Sequence, residues 1–138
     1  MERPSSVPFF KGRFLGVAVL VTVQLIIGFI HLVFGFSMLS DNLTATALSF
    51  TPLAYGIYTS AYGLLTLLFT YLIWTGERLG WIGTLAVSLF VIFADSLTVL
   101  GLTNILGIPK FAAVGEIPFS ILVLAYLLQT HVRSKYSI

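Results

Sequence analysis

Four long apolar runs, separated by short connections rich in Gly, Pro, Ser, Thr and Asn, occupy most of the chain. The first, over 14–39, reads FLGVAVLVTVQLIIGFIHLVFGFSML. It is too long for the hydrophobic region of a cleaved signal peptide, and no small-residue cleavage site follows it. After the polar stretch SDNLTATALSFTP a second run covers 53–75, and the turn-forming GERLG leads to a third over 81–102. The Gly/Pro segment TNILGIPKF precedes a fourth over 112–130. At 1.5 Å per residue about 20 apolar residues cross a hydrocarbon layer of roughly 30 Å, so each run predicts one membrane-spanning helix. The short connections predict an all-α membrane protein, a four-transmembrane-helix bundle with up-down-up-down order, in which 1–138 forms a single integral membrane domain.

Composition supports that reading. Hydrophobic residues make up 58% of the 138 and charged residues only 9%, where a water-soluble domain carries about 25% charge. Almost nothing is left for an extramembrane catalytic domain. The seven Lys and Arg follow the span ends: Arg3, Lys11, Arg13, Arg78, Arg133 and Lys135 fall on one side and Lys110 on the other. The positive-inside rule then assigns both the 1–13 tail and the 131–138 tail to the cytoplasm of a multi-pass cell-membrane protein. Basic residues spread in this way form no patch for nucleic acid. On this topology Asn42, in Asn42-Leu43-Thr44, lies outside as a possible glycosylation acceptor.

Ionisable residues inside a span cost about 2.5–3.5 kcal/mol on insertion scales and turn toward the bundle interior. Here they are His31 in the first span, Asp95 in the third and Glu116 in the fourth. Counted from the outer span ends they lie about 12, 10 and 6 Å deep, so three different helices place them in one layer of the outer half. Glu116, followed by Ile117-Pro118, is expected in the first helical turn, where an acid complements the helix dipole and proline is tolerated. Residues seven apart return to one face of a helix. That spacing groups Gln24, Gly28, His31 and Gly35 in the first span, and Tyr55, Thr59, Tyr62 and Thr66 in the second. In the third span it groups Thr84, Ser88, Asp95 and Thr98, and in the fourth Glu116 and Ser120. Such small and hydroxylated faces are the ones by which membrane helices pack.

The candidate ligand-binding or proton-exchange residues are therefore His31, Asp95 and Glu116, with Tyr55, Tyr58, Tyr62 and Gln24. A cluster of this kind suits interhelical hydrogen bonding alone, a pocket, open to the outer leaflet, for a quinone-like or other amphipathic molecule, or a cation site of carboxylate oxygens and one imidazole. With no cysteine, an iron–sulfur cluster held by this chain is excluded. The two histidines, His31 and His131, lie about 20 Å apart in depth, so one chain cannot supply both axial ligands of a haem. No nucleophile triad, phosphate loop or metal motif is present, and the chain is not expected to be an enzyme. The leading expectation is an accessory or structural subunit, or assembly factor, of a larger membrane complex, partnered by another membrane protein or by further copies of itself. A ligand-binding or redox-accessory protein built on the outer-leaflet cluster is the alternative. A transporter or channel, formed as an oligomer, comes third.

Overall fold

The computed structural model describes residues 13–138; the expected amino-terminal tail, with Arg3 and Lys11, lies outside them. Among the described residues the chain is entirely helical. α1 spans Arg13–Thr44, α2 Phe50–Trp74, α3 Arg78–Val99 and α4 Lys110–Leu127, followed by the short α5 Thr130–Arg133 and a 3-10 turn at Ser134–Tyr136. The four long helices are each long and apolar enough to cross a membrane, consistent with a multi-pass membrane protein.

Local chemistry sets the helix ends. α1 runs past the apolar stretch into Ser40-Asp41-Asn42, and the Asn42 side chain clamps the α1–α2 connection. Its amide nitrogen donates to the Ser49 carbonyl (3.2 Å) and its oxygen accepts from the Ser49 N–H (3.1 Å). Both amide atoms of Asn42 are thus engaged in a buried position, and a glycan on that nitrogen would have to displace this clamp. α2 and α3 both end in Schellman motifs built on glycine. The Gly76 N–H bonds to the Ile73 carbonyl and the Glu77 N–H to that of Leu72, with Gly76 at φ +81°. The Gly101 and Leu102 N–H groups do the same to Thr98 and Leu97, with Gly101 at φ +71°. A residue with a Cβ is strained in that left-handed region, which is why glycine closes both helices.

α1 packs most extensively on α2 and α3 on α4, while α2 joins the two pairs. The first pair is knitted by glycine. A Cβ added at Gly63 would lie 2.6 Å from the Leu32 nitrogen and 2.7 Å from the Gly28 carbonyl oxygen, and one at Gly35 would meet the backbone of Ser60. With lipid outside there is no hydrophobic drive between helices, so backbone-to-backbone approach over small residues takes its place. α1 and α4 meet far less closely. Between them lies an apolar groove of about 490 Å³, lined by Leu15, Val19 and Val23 on one side and Phe119, Leu122 and Tyr126 on the other.

Polarity is arranged inside out. Phe29, Ile30, Phe36, Leu64, Phe93 and Leu122 are exposed on the outer surface, whereas Gln24, Thr59, Thr66, Thr70, Thr84, Ser88, Asp95 and Ser120 are buried. Along the bundle axis the interior has distinct levels. At the end holding the α2–α3 turn and the carboxyl terminus, here the terminal end, Val17, Leu20, Val21, Ile73, Trp81, Val123 and Leu127 form an apolar plug. At the opposite loop end Tyr55, Ile108 and Ala113, backed by Met38, Ala94 and Leu106, form an apolar cap. The α3–α4 loop drives Ile108 into it, with the Asn104 amide donating to the Ile108 carbonyl (3.1 Å).

Residues 131–138, expected as a tail, are folded. After Gln129 the chain turns back, and Val132 and Tyr136 join the plug. The Tyr136 hydroxyl donates to the carbonyl of Ile73 (3.0 Å), and the Trp81 indole N–H donates to that of Leu127 (2.9 Å). The Trp81 bond supplies a partner to a last-turn carbonyl of α4, and the Tyr136 bond adds a second donor to one that already accepts from Gly76.

Candidate functional site

His31, Asp95 and Glu116, from α1, α3 and α4, converge below the apolar cap. The imidazole Nδ1 lies 2.8 Å from the carbonyl oxygen of Ile27, one turn earlier, and Nε2 lies 3.1 Å from Glu116 Oε1. A backbone carbonyl can only accept, so Nδ1 carries a hydrogen and donates it. The bond between Nε2 and Oε1 then needs one more proton. That proton resides either on the ring, giving an imidazolium–carboxylate pair, or on Glu116, giving a neutral pair.

Asp95 is completely buried, at 0% exposure; neither its oxygens nor Glu116 Oε2 meets a donor from another residue, and the two carboxyls lie close enough to share a hydrogen bond when one of them is protonated. Among the described residues, His31 is the basic side chain whose charge reaches Asp95, and Glu116 is the acidic one. Two ionised carboxylates beside a neutral imidazole would carry a net charge of minus two. Two exchangeable protons are therefore needed for the cluster to be neutral, one between Nε2 and Oε1 and one more on a carboxyl. Removing either leaves a net charge in surroundings of low dielectric, which is costly.

α2 supplies the wall. Tyr62 meets the His31 ring edge-on at 4.8 Å, and Tyr58 stacks on Tyr62 at 6.4 Å. Tyr55 stacks on Tyr58 at 6.4 Å and belongs to the cap. The Tyr58 hydroxyl is buried without a partner. The residues selected by their positions along the sequence thus meet, with two adjustments. Gln24 is not in the cluster: it lies seven residues down α1, where its Oε1 accepts from the Thr70 hydroxyl (3.2 Å). Glu116 is not in a first turn. α4 begins at Lys110 behind Pro109 and has no acid in its first turn, so the helix dipole does not account for Glu116. Pro118 stands inside the helix, where its missing N–H leaves the Val114 carbonyl without a helical partner.

The cap of Tyr55, Ile108 and Ala113 stands between the cluster and the loop end. His31 and Glu116 retain 20% and 18% of their side-chain surface, whereas Asp95 has none. Glu116 sits three residues, about 4.5 Å of helix rise, from Phe119 at the edge of the α1/α4 groove.

Beneath the cluster lies a second polar level that the sequence reading did not single out as a site. Gln24, Tyr62, Thr66, Thr84, Ser88 and Ser120 line a cavity of about 10 Å³, at the threshold for holding one water molecule. The signal for it was spacing. Gln24 precedes His31 by seven and Ser88 precedes Asp95 by seven, so each stacks one level below an ionisable residue.

Among the described residues no group of three or more His, Cys, Asp or Glu is arranged to hold a metal ion. No family model, no curated protein and no solved structure matches this chain.

Proposed function

We propose that the protein is a cell-membrane protein of up-down-up-down topology, with both termini cytoplasmic, that binds an amphipathic, quinone-like molecule at the His31–Glu116–Asp95 cluster and exchanges a proton with it. The observation that carries this reading is the His31–Glu116 bridge. It joins α1 and α4, between which the apolar groove runs, and it holds a proton in a hydrogen bond whose two side chains are still partly exposed. A ligand with a long apolar chain fits the groove. A polar head with a carbonyl or hydroxyl can take a hydrogen bond from, or give one to, the Nε2–Oε1 pair and Oε2 of Glu116. Asp95 sits behind them as the second carboxyl, so that a proton leaving the bridge can be replaced from within the site.

The test uses the full-length protein in lipid nanodiscs, titrated with a short-chain benzoquinone, with quenching of Trp74 and Trp81 as readout. Saturable quenching is expected. Glu116→Gln weakens binding about tenfold, corresponding to one charge-assisted hydrogen bond of about 1.5 kcal/mol, and Leu64→Ala on the lipid-facing surface leaves it unchanged. Quenching that rises without saturation, alike in wild type, Glu116→Gln and His31→Ala, would overturn the proposal.

A further inference from the structure

The two ends of the bundle differ in what separates the cluster from water. Toward the loop end stands the apolar cap of Tyr55, Ile108, Ala113, Met38 and Leu106. Toward the terminal end hydrogen-bonding side chains continue from all four helices: Gln24 from α1, Thr66 and Thr70 from α2, Thr84 and Ser88 from α3, and Ser120 from α4, all buried. All but Thr70 line the cavity with room for one water. The Thr84 hydroxyl, which lines that cavity, has no partner in the protein, so it can both donate to and accept from a water placed there. At the far side the Thr70 hydroxyl bonds to Gln24. Thr70 stands three residues, about 4.5 Å of rise, from Ile73 in the plug. Below that level stands the plug, with Trp81 likewise three residues from Thr84.

We propose that the cluster takes up its protons from the terminal end of the bundle, through one water molecule held by Gln24, Thr84, Ser88 and Ser120, and not across the cap at the loop end. The inference rests on the reading that the cluster exchanges protons, and adds the route and the side. Each hydroxyl or water in the chain accepts one proton and releases another, so a proton arrives at Glu116 or Asp95 with no net change in the relay. The groups whose own protonation bears on those carboxyls are His31 from α1 and Tyr55, Tyr58 and Tyr62 from α2. None of them lies on the relay below Tyr62.

A hydrophobic carbodiimide distinguishes the sides. Dicyclohexylcarbodiimide adds to a protonated carboxyl within a membrane: the acid proton moves to a carbodiimide nitrogen, the carboxyl oxygen bonds to the central carbon, and rearrangement leaves an N-acylurea with no leaving group. The full-length protein is reconstituted into sealed vesicles, with orientation fixed by the accessibility of a carboxyl-terminal tag. Internal and external pH are set independently, and adducts on Asp95 and Glu116 are measured by mass spectrometry. Labelling is expected to follow the pH on the carboxyl-terminal side, by up to about tenfold per pH unit where protonation is partial, and to ignore the pH on the other side. The Gln24→Leu, Thr84→Val double variant is expected to lose that dependence. Labelling that follows the opposite side, or both sides equally, overturns the route while leaving proton exchange at the cluster intact. No labelling at any combination of pH overturns the proton-exchange reading itself. Should the double variant fail to fold, the sidedness of the wild-type protein decides the matter alone.

Discussion

The glycine contact between α1 and α2 sets up the sharpest stability experiment. A methyl group at Gly63 would stand 2.6 Å from the Leu32 nitrogen, 2.7 Å from the Gly28 oxygen and 3.0 Å from the Leu32 Cα, where ordinary contact begins at 3.4 Å. All three neighbours are backbone atoms, so no side-chain rotation relieves the clash, and Gly63→Ala must push the two helices about 0.8 Å apart. A gap of that size forfeits a quarter to a half of the dispersion energy of each contact it opens, and overpacking of this kind costs about 2–3 kcal/mol. Alanine returns about 1 kcal/mol through its better helix propensity, so the net loss is about 1–2 kcal/mol. Gly115, one residue before Glu116, provides the control. A Cβ there meets nothing within 4 Å, and Gly115→Ala should stabilise by up to about 1 kcal/mol. Both variants are measured by equilibrium unfolding in mixed micelles with increasing sodium dodecyl sulfate. Equal shifts for the two, or a Gly63→Ala protein as stable as wild type, would refute the argument that backbone approach holds the first helix pair together.

Three other outcomes follow from the buried polar groups. Asp95→Asn replaces the buried carboxyl by an amide of the same size that carries no acid proton, and should eliminate one of the two exchangeable protons while changing stability by less than about 1 kcal/mol. Carbodiimide labelling confined to Glu116 checks the first effect, and a thermal melt in detergent checks the second. Trp81→Phe leaves the Leu127 carbonyl without its 2.9 Å donor and should cost about 1–2 kcal/mol, read in the same micellar unfolding assay. Burial pushes the Tyr136 phenol up to about 12 from its usual 10. Because its folded value is the higher one, the phenol's contribution to docking the carboxyl-terminal segment is fully present below pH 10. It is lost as pH rises from 10 toward 12, which protease accessibility of residues 130–138 should follow; a segment equally protected across that range would refute the assignment.

The bundle was legible because the bilayer imposes a simple demand: a run of about 20 apolar residues has to become a helix, since every backbone polar group must be satisfied within the segment. His31, Asp95 and Glu116 were legible for the complementary reason. An ionisable residue in such a run is costly enough to need an interior position, and helical rise placed all three at similar depth. Other features depend on details that neither composition nor periodicity carries. Pro118 reads as a first-turn proline until the helix is seen to start at Lys110, eight residues earlier. The cap over the cluster depends on how the Asn104–Ile108 contact folds the α3–α4 loop, and a loop of Gly, Pro and Ile shows no period. The basic carboxyl-terminal segment looks like a solvated tail, yet its Val132 and Tyr136 are core residues. Gln24 was on the predicted face but at the wrong level, because a seven-residue return fixes the side of a helix and says nothing of which neighbour waits there.

The division of the bundle into two helix pairs bears on how the protein is made. α1 and α2 contact each other through glycine-lined backbone as soon as both are inserted, and that hairpin contains His31 and the tyrosines. Asp95 and Glu116 arrive with the second hairpin. Neither half contains the His31–Glu116 bridge, and the second brings two carboxyls with no imidazole at their level, since His131 lies beyond the far end of α4. Docking of the hairpins is thus the event that brings His31 to the two carboxyls, and until then both acids stand in the apolar layer without a basic partner, the kind of feature that membrane quality control can recognise.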